Sequence, residues 1–194
     1  MKTAEPEMEK TFTVSIFTED RVGMLNRVTI IFTRRHLNIA SITASESEVP
    51  GVFRYTIVLN ATRGQVDKVV GQLERLVDVL KAFVHEEEDV VHQEIALYKV
   101  RTGALLNGEV ERVIRGNHAR VLSVDPEFLV IEKTGHVQET QQLFEQLKPF
   151  GILEFARSGR VAVTKPMKEL STYLKELEAK EQPATDNWQL TTDN

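Results

Sequence analysis

Cysteine is absent from this chain of 194 residues. That excludes disulfides, thiolate nucleophiles and zinc–thiolate sites. Long apolar runs are missing too, and nothing approaches the ~18 residues of a membrane span. Aromatic residues make up 7% of the chain, with a single tryptophan, Trp188. Basic residues are in the minority: 24 Lys and Arg stand against 29 Asp and Glu, for a net charge of −5. Clustered Lys and Arg hold phosphate backbones, so a broad nucleic-acid surface is not expected. Met1 to Lys10 is polar and acidic and does not read as a signal peptide. A cytoplasmic location is the expectation, with no membrane and no nucleic-acid partner.

The hydrophobic content of 41% is enough for packed cores, and the length fits one large or two small domains. Residues 1–10 read as a flexible N-terminus. Thr11 to Thr18 alternates Phe12, Val14 and Ile16 with polar residues, the pattern of a strand. Gly23 to Arg35 predicts a helix with Leu25, Val28, Ile31 and Phe32 inward. Strands follow at Asn38–Glu46 and Val52–Asn60, around the turn at Val49-Pro50-Gly51. Helical spacing over Gln65–Val79 puts Val66, Val69, Val70, Leu73, Leu76, Val77 and Leu80 on one face. A fourth strand is expected at Lys81–His85. The order is βαββαβ, a ferredoxin-like unit over residues 11–86, with its helices on one sheet face and the other face left for a partner.

After the acidic run Glu86-Glu87-Glu88-Asp89, residues 90–165 repeat much of that order. Strands are expected at Val91–Arg101, His118–Val124 and Phe128–Lys133, and helices at Gly108–Arg115 and Val137–Phe150. Ile152–Ala156 and Val161–Thr164 are expected to form a hairpin across Arg157-Ser158-Gly159-Arg160. The fold class is therefore α+β: two ferredoxin-like α/β sandwich domains, the second of βαββα type. The halves share no evident sequence identity. A terminal helix is expected at 166–180 and a disordered tail at 181–194.

Chemistry-bearing motifs are sparse. His36, His85, His92, His118 and His136 make no H-x-x-x-H or H-E-x-x-H pattern, so no metal site is expected. G-x-S-x-G, G-x-G-x-x-G and the P-loop pattern are all missing. Lys133-Thr134-Gly135 lacks the companion Ser-x-x-Lys and reads as a strand-to-helix turn. No catalytic residue is expected.

The sharpest candidate is Asp20, Gly23 and Asn38 around the first strand–helix junction. A helix N-terminus offers free backbone N–H groups and a partial positive charge, which suit a carboxylate. Gly23 removes the side chain that would block close approach. Asp20 and Asn38 supply oxygen acceptors for an ammonium group. Together they fit a free amino acid and describe a sensor, not a catalyst. Spacing alone supports a plainer reading equally: Asp20 starts a turn, Gly23 relieves a helix start and Asn38 caps a helix end.

Phe17-Thr18-Glu19-Asp20-Arg21-Val22-Gly23-Met24-Leu25-Asn26-Arg27-Val28 and Phe32-Thr33-Arg34-Arg35-His36-Leu37-Asn38-Ile39 resemble the N-terminal ACT domain of the acetolactate synthase (acetohydroxyacid synthase) small subunit. Leu76 to Leu80, Gln93 to Val100 and Glu154 to Gly159 are similar to the same family, in the same order, so the likeness spans about residues 11–165. The resemblance implies a regulatory subunit without an active site of its own. Its implied partner is the large catalytic subunit, which would carry thiamine diphosphate, magnesium and FAD, while this chain would hold no cofactor. That enzyme commits pyruvate to valine, leucine and isoleucine synthesis, and the small subunit activates it and confers feedback inhibition, usually by valine. The family likeness further implies an effector site in an ACT–ACT homodimer. One chain would provide Asp20, Gly23, Met24 and Leu25, with backbone N–H groups of Gly23, Met24 and Leu25 meeting the carboxylate. The other would provide Asn38 and Ile39. Asp20 stands where many relatives carry asparagine. A stand-alone ACT amino-acid sensor of another enzyme or of transcription is the rival reading. The acidic balance and the lack of a helix-turn-helix signal weigh against it.

Overall fold

A computed structural model describes residues 8–103 and 108–165, together with Thr172 and Lys175, which are helical. The rest of the expected terminal helix, the expected tail at 181–194 and residues 1–7 lie outside the described residues.

The first unit runs β1 (Lys10–Glu19), α1 (Met24–Arg34), β2 (Ile39–Glu46), β3 (Val52–Ala61), α2 (Arg63–Leu73), β4 (Val79–His85). The second runs β5 (Val90–Arg101), α3 (Glu109–Gly116), β6 (Arg120–Val124), β7 (Phe128–Gly135), α4 (Val137–Leu147), β8 (Ile152–Arg157), β9 (Val161–Thr164). The sheet orders are β2-β3-β1-β4 and β6-β7-β5-β8, with every strand pair antiparallel. This is one permutation used twice, so the second unit is a complete βαββαβ repeat with β9 added.

Each core forms where the strand alternation meets the helical stripe. Phe12, Val14 and Ile16 of β1 pack with Val28, Ile31 and Phe32 of α1 and Val66, Val69 and Leu73 of α2. Tyr98 and Val100 of β5 pack with Val110 and Ile114 of α3 and Leu143 and Leu147 of α4. Burial of such side chains contributes about 1.5–3 kcal/mol each. The Tyr98 hydroxyl donates to the Thr140 carbonyl at 2.6 Å, which satisfies the one polar atom of that buried ring.

Three expectations are corrected by tertiary contacts. The helix expected to reach Val79 stops at Leu73. Pairing of Val79 with Thr18 pulls the chain into β4, and Val77, expected in the core, is 94% exposed. Ile152–Arg157 and Val161–Thr164 do not form a hairpin. Both pair antiparallel with β5, β8 along its C-terminal half and β9 along its N-terminal half, so they run in succession down one edge. Nor is the second face of the first sheet free. Thr13 and Ser15 there are buried, with the β8–β9 link and β9 bonded onto that face, and Phe17 is buried against Val52, Val49, Leu80 and Phe83. Arg160 donates to Thr13 Oγ1 at 2.9 Å, Thr43 donates to the Arg160 carbonyl at 2.9 Å, and Arg54 donates to the Ala162 carbonyl at 2.6 Å. Arg160 also grips Glu87 through both guanidinium nitrogens, at 3.0 and 3.2 Å.

Candidate functional site

β1 ends in a turn at Asp20–Gly23 that feeds α1. Gly23 is the N-cap with φ 85°, a conformation costly for any residue with a Cβ, and no side chain caps the helix. The Met24 amide donates to the Arg21 carbonyl at 3.3 Å, and the Arg27 amide to the Gly23 carbonyl at 3.1 Å. The amides of Gly23, Leu25 and Asn26 form no hydrogen bond among the described residues. Of the three amides expected to meet a carboxylate, Met24 is thus already engaged, and Asn26 joins Gly23 and Leu25 as an open donor.

Leu25 was expected in the core, but Met24 takes that place. Met24 is 1% exposed and Leu25 49% exposed. Val22 beside it is fully exposed. The turn therefore presents open amides next to an apolar rim of Val22 and Leu25. Asp20 is exposed, and its amide is tied to the Gly51 carbonyl at 3.0 Å.

Asn38 and Ile39 lie elsewhere. The left-handed residue that ends α1 is His36 (φ 56°), not Asn38; the Leu37 amide returns to the Phe32 carbonyl at 3.1 Å in a Schellman arrangement. Asn38, exposed, leads into β2, and Ile39 packs against the core. Register fixes the distance between the two sets. Ile39 pairs with Leu59, which pairs with Phe12, whereas Glu19 pairs with Val52 at the other end of β1. At ~3.3 Å per residue, Ile39 and Asp20 of one chain sit roughly 26 Å apart along the sheet, and Asn38 lies one position further still. One chain does not bring them together.

Sequence reasoning missed the support beneath the turn. Asp78, 6% exposed, accepts from Arg27 Nη1 and pairs with Arg21 Nε at 3.4 Å. Arg21 also donates to Glu19 at 2.6 Å. The available signal was Arg27 itself, a cation in the first turns of a helix, where the dipole disfavours it unless an acid is near.

Among the described residues no group of three or more His, Asp or Glu side chains is placed to hold a metal, and no helix is long and apolar enough to cross a membrane. The geometry is that of a helix start with open backbone amides beside an apolar rim. Comparison with known proteins decides the family. Residues 14–81 match the AHAS small subunit-like ACT domain, and residues 93–166 match the small subunit of acetolactate synthase. The acetolactate synthase small subunit of Mycolicibacterium smegmatis is 36% identical over 155 residues, 80% of this chain and 91% of that protein. The chain belongs to the acetolactate synthase small-subunit family. The Bacillus subtilis small subunit is likewise 36% identical, over 77% of this chain and 87% of its own length. The crystal structure of the small subunit from Thermotoga maritima superposes with a TM-score of 0.75 at 28% identity, covering 82% of this chain and 99% of that one. Membership accounts for both sheets at once, since the two matched regions span the first and second repeats.

Proposed function

We propose that this chain is the cytoplasmic regulatory subunit of acetolactate synthase in branched-chain amino-acid synthesis. It activates the large catalytic subunit and confers feedback inhibition by valine held between two ACT domains. Family membership supports the enzyme; the strand register supports the shared site. Asp20–Leu25 and Asn38–Ile39 occupy opposite ends of one sheet, so a pocket using both needs two chains. β2 is an edge strand whose outer rim pairs with no other strand among the described residues. A second copy pairing antiparallel along that rim sets the start of one β2 beside the end of the other, on the side of the partner's Asp20–Leu25 turn. The open amides then meet the valine carboxylate, Asp20 and Asn38 meet the ammonium, and Leu25 and Ile39 cover the isopropyl group.

The thiamine diphosphate chemistry in this reading is the catalytic subunit's. Control follows from differential affinity: valine favours one dimer arrangement and the catalytic subunit the other. A coupling of about 1–3 kcal/mol is enough for useful control. The test mixes the chain with its catalytic partner and measures acetolactate formation with and without valine. Stimulation by the chain, reversed by valine, is expected. A chain that neither stimulates the partner nor responds to valine overturns the reading.

A further inference from the structure

The two repeats share a main-chain tie that isolates one side chain. In the first, the Glu19 amide donates to the Asp78 carbonyl at 3.0 Å, and in the second the Arg101 amide donates to the Gly151 carbonyl at 3.4 Å. The neighbouring pairs Thr18–Val79 and Val100–Ile152 confirm that Asp78 and Gly151 are equivalent positions. The hydrogen bond at this junction needs no carboxylate: the second repeat makes it with a glycine, at φ 80°, a left-handed conformation that Asp78 does not take. Asp78 must therefore be explained by what its carboxylate touches.

It touches the two arginines that bracket the Gly23 turn. Arg21 lies two residues before Gly23 and Arg27 four after it. Both reach the same buried acid, Arg21 through Oδ1 and Arg27 through Oδ2. A bidentate carboxylate that holds both sides of a turn fixes its pitch, and a buried acid is kept only where cations compensate it. We propose that Asp78 is a positioning residue of the effector site, holding Arg21 and Arg27 so that the open amides of Gly23, Leu25 and Asn26 converge on one carboxylate. This rests on the effector reading above. Asp78 also neutralises one of the two arginines. With Glu19 and Asp20 alongside, the acids outnumber the bases around the turn, which favours a zwitterion over an anion lacking an ammonium group.

The experiment uses the full chain. Valine affinity is measured by calorimetry for wild type, Asp78→Asn, Arg27→Gln and the double variant. Amide hydrogen exchange at Met24 and Arg27 is measured without ligand. Asp78→Asn and Arg27→Gln are each expected to weaken valine binding about tenfold, and the double variant no further, because both cut one tie. Exchange at Met24 and Arg27 is expected to quicken about tenfold while the amides that follow Gly108 hold. Arg27→Gln leaves the buried residue in place, so it reports even if Asp78→Asn folds poorly. Valine binding within twofold of wild type, additive losses, or unchanged exchange overturns the proposal. If the wild-type chain binds no valine, the effector reading falls instead, and the exchange measurement still decides whether Asp78 sets the turn.

Discussion

The turn at Gly23 and the turn at Gly108 are built alike and equipped differently. Each opens the first helix of its repeat with a left-handed glycine, φ 85° and 65°, and no side-chain cap. Each helix closes on a left-handed histidine, His36 or His118, whose following amide returns to Phe32 or Ile114. The first turn of α3 carries its own acids, Glu109 and Glu111, which answer the helix dipole. The first turn of α1 carries none and places Arg27 close by, tied to Asp78. A shared backbone is thus not a shared site. The acids within the helix start distinguish the two: α1 opens with none of its own, α3 with two glutamates.

The most forceful way to break this comparison is to load both turns with the same side chain. Asp at either glycine adds a Cβ at positive φ, a strain of about 1 kcal/mol. Gly23→Asp also puts a negative charge where the proposed site would hold the effector carboxylate. The valine concentration for half-inhibition is expected to rise about a hundredfold, and Gly108→Asp is expected to leave it unmoved. Equal effects in an acetolactate assay would end the distinction.

Next in size is the seam between the repeats. Arg160→Met removes the bonds to Thr13 and Glu87 from a residue 8% exposed. A loss of about 2 kcal/mol in urea unfolding is expected, below the full cost of breaking a buried pair because Glu87 is half exposed. Two separate transitions in the variant, where the wild type shows one, would show that this residue joins the halves.

The second helices depend on their own caps. Thr62 and Gln65 form a capping box at α2, so Thr62→Ala is expected to cost about 1 kcal/mol, read by thermal unfolding, without altering valine inhibition.

The gentlest probe is pH. Burial lowers the pKa of His92, against the opposing bond from Glu87, and burial lowers that of His85. A histidine with a lowered folded pKa stays neutral longer than in the unfolded chain, which takes up protons first. Stability is therefore complete above about 6.5 and is lost as pH falls through the folded value. Glu87 adds to the loss under more acid conditions: burial favours its neutral form, but bonds from Arg160 and His92 hold its pKa below the usual carboxylate range. The urea midpoint is expected to drop between pH 8 and pH 5.5, and to drop less in His85→Gln.

Most of the fold was legible because its signals are local. Alternation marked β1, β3 and β5, helical spacing marked α1 and α4, and glycine marked the start of α1. The errors came from pairing. Leu76 and Val77 continue a helical pattern past Leu73, but β1 claims the chain at Val79. Arg157 to Arg160 reads as a hairpin turn until β5 proves long enough to hold β8 and β9 end to end. The site was legible in part. Gly23 and an open helix start follow from residue type and position, but the Met24 amide, expected open, is engaged and that of Asn26 is open in its place. Asp78 did not, because it lies more than fifty residues beyond the turn it supports.

By itself the sequence determined the excluded chemistries, the two-repeat order and the glycine that opens α1, since composition, periodicity and backbone freedom are properties of neighbouring residues. Only the tertiary structure decided that Asn38 lies at the opposite end of the sheet from Asp20, that the β8–β9 link covers the first sheet, and that a buried aspartate sits beneath the Gly23 turn. Those facts depend on strand register and on contacts between residues distant in the chain, which no local pattern encodes.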